Sequence, residues 1–302
     1  SSIAALLSGF RGGLAITVVF VGMLMAASTG IVGATVVTMG LMSLPTMLQQ
    51  GYKPSLATGT ISATGTLGQI IPPSIALVLL GDVLSNAYQQ AQLNMGVFAP
   101  KSVSVGDLFA GAIIPGLILV GFYFIYVVIR AVLDPESMPP AADSTTKTAS
   151  PTLALKRLCP PLLLIFAVLG SILMGWATPT EAAGVGAGGA LLLAFSYRRV
   201  SIDTLRETCE STLTTTAMVF FILVGASIFS LVFRGYGGDE LIQTIFESMP
   251  GGMWGALAVV MIVIFLLGFI LDFIEITFVV VPIVGPILLA MGIDPIWLGV
   301  LI

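Results

Sequence analysis

The chain has 302 residues, 57% of them hydrophobic and only 9% charged, with a formal net charge of −4 and no histidine. A soluble domain carries about 25% charged residues, so this chain cannot cover itself with a polar surface and is expected in a lipid bilayer, with room for several spans of roughly 20 residues. The acidic balance (sequence pI near 4.7) leaves no basic patch to neutralise phosphates and excludes nucleic acid as a partner; the missing histidine excludes His-based triads, most zinc sites and His proton relays.

Taken in order, the chain starts at Ser1 without methionine and stops at Ile302 inside an apolar run, which reads as a piece of a longer chain whose leader would not be visible. Residues 14–48 are two apolar runs of about 15 residues, each roughly 22 Å of helix, broken at Thr29–Gly33. Each is short against a bilayer core of about 30 Å. A re-entrant hairpin is expected, flanked by Arg11 and Lys53 on the cytoplasmic side. Residues 54–85 read as a broken helix. Its centre, Ser62 to Ser74, carries Gly65, Gly68, Pro72 and Pro73, which together argue against continuous helix, and Pro72-Pro73 is expected to start the second half.

A polar, Gln-rich insertion, 86–105, is placed outside, and 107–130 spans back in. The Pro/Ser/Thr/Ala segment 134–157 is expected to be a linker, made cytoplasmic by Lys147, Lys156 and Arg157. It divides a first repeat, 1–133, from a second, 158–302. Spans are expected at 158–176, 182–197 and 215–233, with Arg198-Arg199 inside and an interfacial helix over 201–211. Cys159 and Cys209 lie beside these basic loops and are too few for a disulfide framework. Residues 253–291 read as a second hairpin interrupted at Asp272–Thr277, and 295–302 as the start of a second broken helix.

Pro286, Gly292 and Pro295 repeat the spacing of Pro45, Gly51 and Pro54. The first set ends inside and the second outside, which makes the repeats inverted. Interrupted apolar segments in corresponding positions of two halves are the sequence pattern of secondary transporters. The fold class expected is all-α and polytopic, with inverted repeats, re-entrant hairpins and broken helices.

The runs GYKPSLATGTISATGTLGQIIPPS (51–74), DLFAGAIIPGL (107–117) and GWATPTEAAGVGA (175–187) closely resemble the large membrane subunit, DctM type, of the tripartite ATP-independent periplasmic (TRAP) transporters. The resemblance runs over most of the chain. It implies a sodium-driven importer of small organic anions in the bacterial inner membrane, working by an elevator-like movement of the hairpin domain. It implies two partners, a small four-helix membrane subunit (DctQ type) and a periplasmic substrate-binding protein (DctP type), and no cofactor. The coupling ion would be sodium, with a proton as the alternative and no other metal. The first tip departs from the family's Ser-Gly-Ser-Ser-like run, since Ile31 and Val32 stand where hydroxyls are usual, and insertion 86–105 is longer than usual.

Under that resemblance a first sodium site falls on Ser28, Thr29 and Gly30 at the tip with Gly65, Thr66 and Gly68 at the helix break. Sodium needs a cage of oxygens from unwound carbonyls and hydroxyls. The competing reading is that threonines satisfy helix backbone and glycines allow close packing. A second, incomplete site falls on Gly268, Asp272 and Thr277, its matching break lying past Ile302. Asp272 is costly in an apolar stretch, which marks function, but it also suits a helix N-cap, with Glu275 three residues on. Ser62, Thr64, Pro72, Pro73 and Ser74 are candidates for a substrate path, the half-helix amides offering themselves to a carboxylate. Thr178 to Glu181 has capping-box spacing and reads as structural. Two rival functions are a sodium/dicarboxylate symporter that needs no binding protein and an intramembrane enzyme using Asp272 and Glu275.

Overall fold

The computed structural model of the chain describes residues 10–30, 32–139, 151–198 and 200–302, without the side chains of residues 26–29, 151–158 and Glu247. Ile31, Lys147 and Arg199 lie outside the described residues. Every regular element among the described residues is helical: α1 (Gly13–Thr29), α2 (Val32–Gln49), α3 (Pro54–Gly65), α4 (Leu67–Ile70), α5 (Ile75–Asn94), α6 (Val105–Leu133), α7 (Pro151–Leu173), α8 (Pro179–Ser196), α9 (Ile202–Gly235), α10 (Gly238–Glu247), α11 (Gly252–Leu267), α12 (Phe273–Ala290, with a π turn over Ile276–Val280) and α13 (Pro295–Leu301). Among them α2, α6, α9 and α12 are long and apolar enough to cross a bilayer, and Pro54–Ile70 with Ile75–Asn94 forms a further, broken span if the pair counts as one. The chain divides into two compact units, residues 1–75 with 112–193 and residues 76–111 with 194–302.

In the first unit α1 and α2 run into a tip at Gly30, a buried residue with φ +62° that glycine adopts without a steric cost. Both limbs clasp the end of α3. A Cβ on Gly22 of α1 would overlap Thr64 Cγ2, and one on Gly65 would overlap Val36 Cγ2 of α2. Small residues at a helix crossing replace the missing hydrophobic drive between helices in lipid by close packing. Ala15, Val19, Met39, Ala57, Ile61 and Leu67 fill the core around this seam. Elsewhere in the unit α7 and α8 meet the same way, with Gly189 against Leu164.

The far end of the α1–α2 pair is closed by the turn before α3. Tyr52 is buried, and the backbone of Leu14 and Ala15 at the start of α1 hydrogen-bonds to its phenol; burial pushes that phenol above its ordinary pKa in spite of these bonds. Lys53 donates its amide to Ser137 O at 3.2 Å. Lys53 Nζ at 3.3 Å and Arg130 Nη2 at 3.0 Å share Asp134 Oδ2. Partial loss of solvent acts to raise the Asp134 carboxyl, but the hydrogen bond and charge of Lys53 and the charge of Arg130 prevail and hold it below the usual carboxylate value.

In the second unit α5, α9 and α12 share a core of Ala226, Ile274 and Phe278 with Leu79, Val83 and Leu223 packed against it. Gly299 of α13 lies where a Cβ would sit 2.7 Å from Leu108 Cδ1, and Gly285 of α12 backs onto Ala87 at 3.2 Å. Trp254 and Trp297 meet edge to face, 5.7 Å between ring centres.

Four boundaries differ from the sequence reading. Helix persists through Ser62 to Ile70, interrupted only at Thr66, so the break narrows to residues 71–74. Pro72-Pro73, a cis bond, precedes α5, which starts at Ile75 rather than at the prolines. Insertion 86–105 is helical to Asn94, and its return is clasped by Gln92, which bonds the carbonyl and the amide of Lys101, both at 2.9 Å. Helix α7 already starts at Pro151, inside the expected linker.

The expected interfacial helix over 201–211 and span over 215–233 are likewise one helix of 34 residues, α9. No glycine or proline occurs between Ile202 and Val224. Thr208, Thr212 and Thr214 donate their hydroxyls to carbonyls four residues back, which keeps the polar turns satisfied within the helix.

Gly22→Ala in the full-length protein should lower stability by about 1–3 kcal/mol through overpacking, read as a fall in the thermal unfolding midpoint in detergent. Gly40→Ala, with nothing within 4 Å of its added Cβ, should raise the midpoint slightly or leave it unchanged. Because the Asp134 carboxyl is depressed in the folded protein, its contribution is present above the ordinary carboxylate pKa and lost as pH falls through the folded value. Asp134→Asn should therefore flatten the acid side of the unfolding midpoint against pH and matter little at pH well below that range.

Candidate functional site: hairpin tip and helix break

The first unit brings the tip at Gly30 onto the helix break. A Cβ on Gly30 would lie 3.0 Å from Ile75 Cγ1 and 3.5 Å from Ile75 N, the first residue of α5. The reason is local. Gly30 supplies the left-handed turn, and Pro72-Pro73 lies in the four-residue gap, 71–74, between α4 and α5. Ile71 N still reaches Leu67 O at 3.0 Å, and Ser74, buried, donates Oγ to Gln69 O at 2.6 Å. The break thus satisfies part of its own backbone, as non-helical chain at membrane depth must.

The candidate residues sort by face rather than by the grouping expected from sequence. Thr64, Gly65 and Gly68 are buried toward the hairpin, whereas Ser62 and Thr66 are exposed and, four residues apart, share one helix face. Thr64 donates Oγ1 to Thr60 O at 2.6 Å and Thr66 donates to Ala63 O at 2.7 Å. Each proton is committed to helix backbone while the oxygen lone pairs remain. Pro72 and Ser74 are buried and Pro73 is half-buried. Ser28 and Thr29 end α1 directly before Gly30, and their side chains lie outside the described set. Gly22 and Val36, which hold Thr64 and Gly65 in place, were not singled out by the sequence; a lone glycine in an apolar helical run was their only signal.

In the second unit the turn between α11 and α12 runs from Gly268 to Leu271. Gly268, exposed, closes α11 by donating its amide to Ile264 O at 2.9 Å. Asp272 is the N-cap of α12: its Oδ1 accepts from Phe273 N at 2.8 Å, and Glu275 Oε2 reaches back to Asp272 N at 3.2 Å. The two acids form a reciprocal capping box, so the capping reading of Asp272 is realised. Thr277 is buried in the π turn just beyond. Thr178 and Glu181 make the same device at the start of α8, with Thr178 N donating to Glu181 Oε2 at 2.8 Å and Glu181 N to Thr178 Oγ1 at 3.3 Å. Thr178 Oγ1 donates to the same Glu181 Oε2 at 2.8 Å.

Several apolar helices, one of them broken, and a glycine tip set against that break define a multi-pass membrane protein. The family model described as "Tripartite ATP-independent periplasmic transporter, DctM component" matches residues 2–302, and the chain belongs to that family, one of transporter permeases rather than enzymes. The chain is 30% identical, over 99% of its length and 66% of the relative's, to the C4-dicarboxylate TRAP transporter large permease protein DctM of Rhodobacter capsulatus. It is 32% identical to the corresponding protein of Pseudomonas aeruginosa over 96% of the chain and 64% of that relative. To the ectoine TRAP transporter large permease protein TeaC of Halomonas elongata it is 29% identical, over 99% and 66%. The chain therefore spans about two thirds of the length of these relatives.

Asp272→Ala should cost about 1 kcal/mol as a lost N-cap, with faster amide hydrogen exchange confined to the first turn of α12. Asp272→Asn, which can still accept from Phe273 N, should retain most of the protection.

Proposed function

We propose that the chain is the permease part of a sodium-coupled secondary transporter that imports a small carboxylate-bearing solute across the bacterial inner membrane. A periplasmic binding protein of the DctP type would deliver the solute, and a small four-helix subunit of the DctQ type would brace the permease. The observation that carries this reading is the tip of the α1–α2 hairpin seated on the break before α5, in a chain of this family. Discontinuous helices at membrane depth gather carbonyl ends and half-helix amides where an ion and a charged solute can be held.

Ser28, Thr29, Gly30, Gly65, Thr66 and Gly68 form the proposed first sodium site, with Gly65 and Gly68 acting through backbone carbonyls. Gly268, Asp272 and Thr277 contribute the described part of a second. Ser62, Thr64, Pro72, Pro73 and Ser74 line the proposed solute path. Alternating access would move the hairpin and broken helix as a body. Membership of a transporter family removes the intramembrane-enzyme reading of Asp272 and Glu275.

Uptake into proteoliposomes holding the full-length permease, its small subunit and the cognate binding protein tests the proposal. Uptake should need both an inward sodium gradient and the binding protein, and Thr66→Ala should shift the sodium dependence to higher concentration. Uptake with sodium alone would make the chain a standalone symporter. An unchanged sodium curve in Thr66→Ala would remove Thr66 from the site.

A further inference from the structure

The second unit holds a cavity of about 600 Å³ between α5, α9 and α12, within the range of small-molecule sites. Asp82, Asn86 and Gln90 line it from α5, one turn apart on a single face. Ser227, Ser230 and Arg234 line it from α9, and Phe278 and Pro282 of α12 give it an apolar side. Asp82 is exposed and makes no hydrogen bond or ion pair among the described residues. A carboxylate in an apolar helix is costly and marks a function by default. Arg234 pairs with Asp239, Nε to Oδ2 at 3.5 Å, and its side chain makes no hydrogen bond among the described residues. Ser227 donates its proton to Leu223 O at 2.8 Å and so offers lone pairs to the cavity.

An unpaired anion and a partly free cation in one cavity with an apolar side favour a solute carrying both charges. A dianion would meet Asp82 and a dication Arg234, each at a cost that a zwitterion avoids. We propose that this cavity binds a small zwitterionic carboxylate, its carboxylate on Arg234 and its ammonium on Asp82, with the Asn86 and Gln90 amides beside it. The inference goes beyond the transport reading by adding a solute site in the second unit. It uses none of the residues at the hairpin tip and break.

The test is calorimetric titration of the full-length permease in nanodiscs with β-alanine, γ-aminobutyrate and δ-aminovalerate, with glutarate and cadaverine as matched dianion and dication. At least one ω-amino acid should bind more tightly than both controls, and Asp82→Asn and Arg234→Gln should each weaken it about tenfold or more, as loss of a charged hydrogen bond does. Asp82→Lys should turn the preference to glutarate, a gain that misfolding cannot produce. Failure of every ω-amino acid to bind, unchanged affinity in Asp82→Asn, or wild-type preference for glutarate would overturn the proposal. If sodium-driven uptake persists while these titrations fail, the cavity assignment alone falls; if uptake is absent as well, the transport reading falls with it.

Discussion

Hydrocarbon offers no hydrogen bonds, and that constraint governs every irregular stretch of this chain. Each place where helix stops in an apolar run must find partners for its own amides and carbonyls. Residues 71–74 do so with Ile71 on Leu67 and Ser74 on Gln69. The turn after α11 does so with Ile270 and Leu271 both on Leu267 O at 2.8 Å, and with the Asp272–Glu275 pair. Polar side chains thus concentrate at the breaks for a structural reason first. Any ion or solute that binds there uses what remains: lone pairs on Thr64 and Thr66, and carbonyl ends brought together by glycine.

The hairpin limbs were legible because their punctuation is local. Gly30 needs a positive φ, and Pro72-Pro73 cannot continue a helix. Thr178-Pro179-Thr180-Glu181 was legible for the same reason, a capping pattern complete within four residues. The helix through Ser62 to Ile70 was not. Glycine weakens helix by only about 1 kcal/mol each, and the close packing of Gly65 on Val36 outweighs that. Polarity alone suggested a boundary between 211 and 215, but threonines that bond their own backbone keep α9 running. Insertion 86–105 was set apart from the helix before it because its glutamines are polar, yet Gln92 is buried and spends its amide closing the turn.

Which of the candidate residues are covered and which are exposed was not legible in the sequence. The family resemblance grouped Thr64 with the solute path and Thr66 with the ion site. Burial puts Thr64 with Gly65 and Gly68, and Thr66 with Ser62. Two residues apart on a helix means nearly opposite faces, a fact that becomes decisive only once the hairpin shows which face is covered. The α5–α9 cavity was hidden more deeply. Asp82 and Arg234 are far apart in the chain, and only the packing of α12 beside both turns them into one environment.

Helix α9 has one more consequence. Its 34 residues make a rod of about 51 Å, with its first glycine only at Gly225. Helices hinge at glycine, proline or π bulges, so the stretch from the Ser201 cap to Val224 behaves as a stiff lever. A push on the charged turn at Arg206 and Glu210 would therefore arrive as a displacement of Leu223 at the cavity wall, and flexing would concentrate in the last turns, between Gly225 and Arg234.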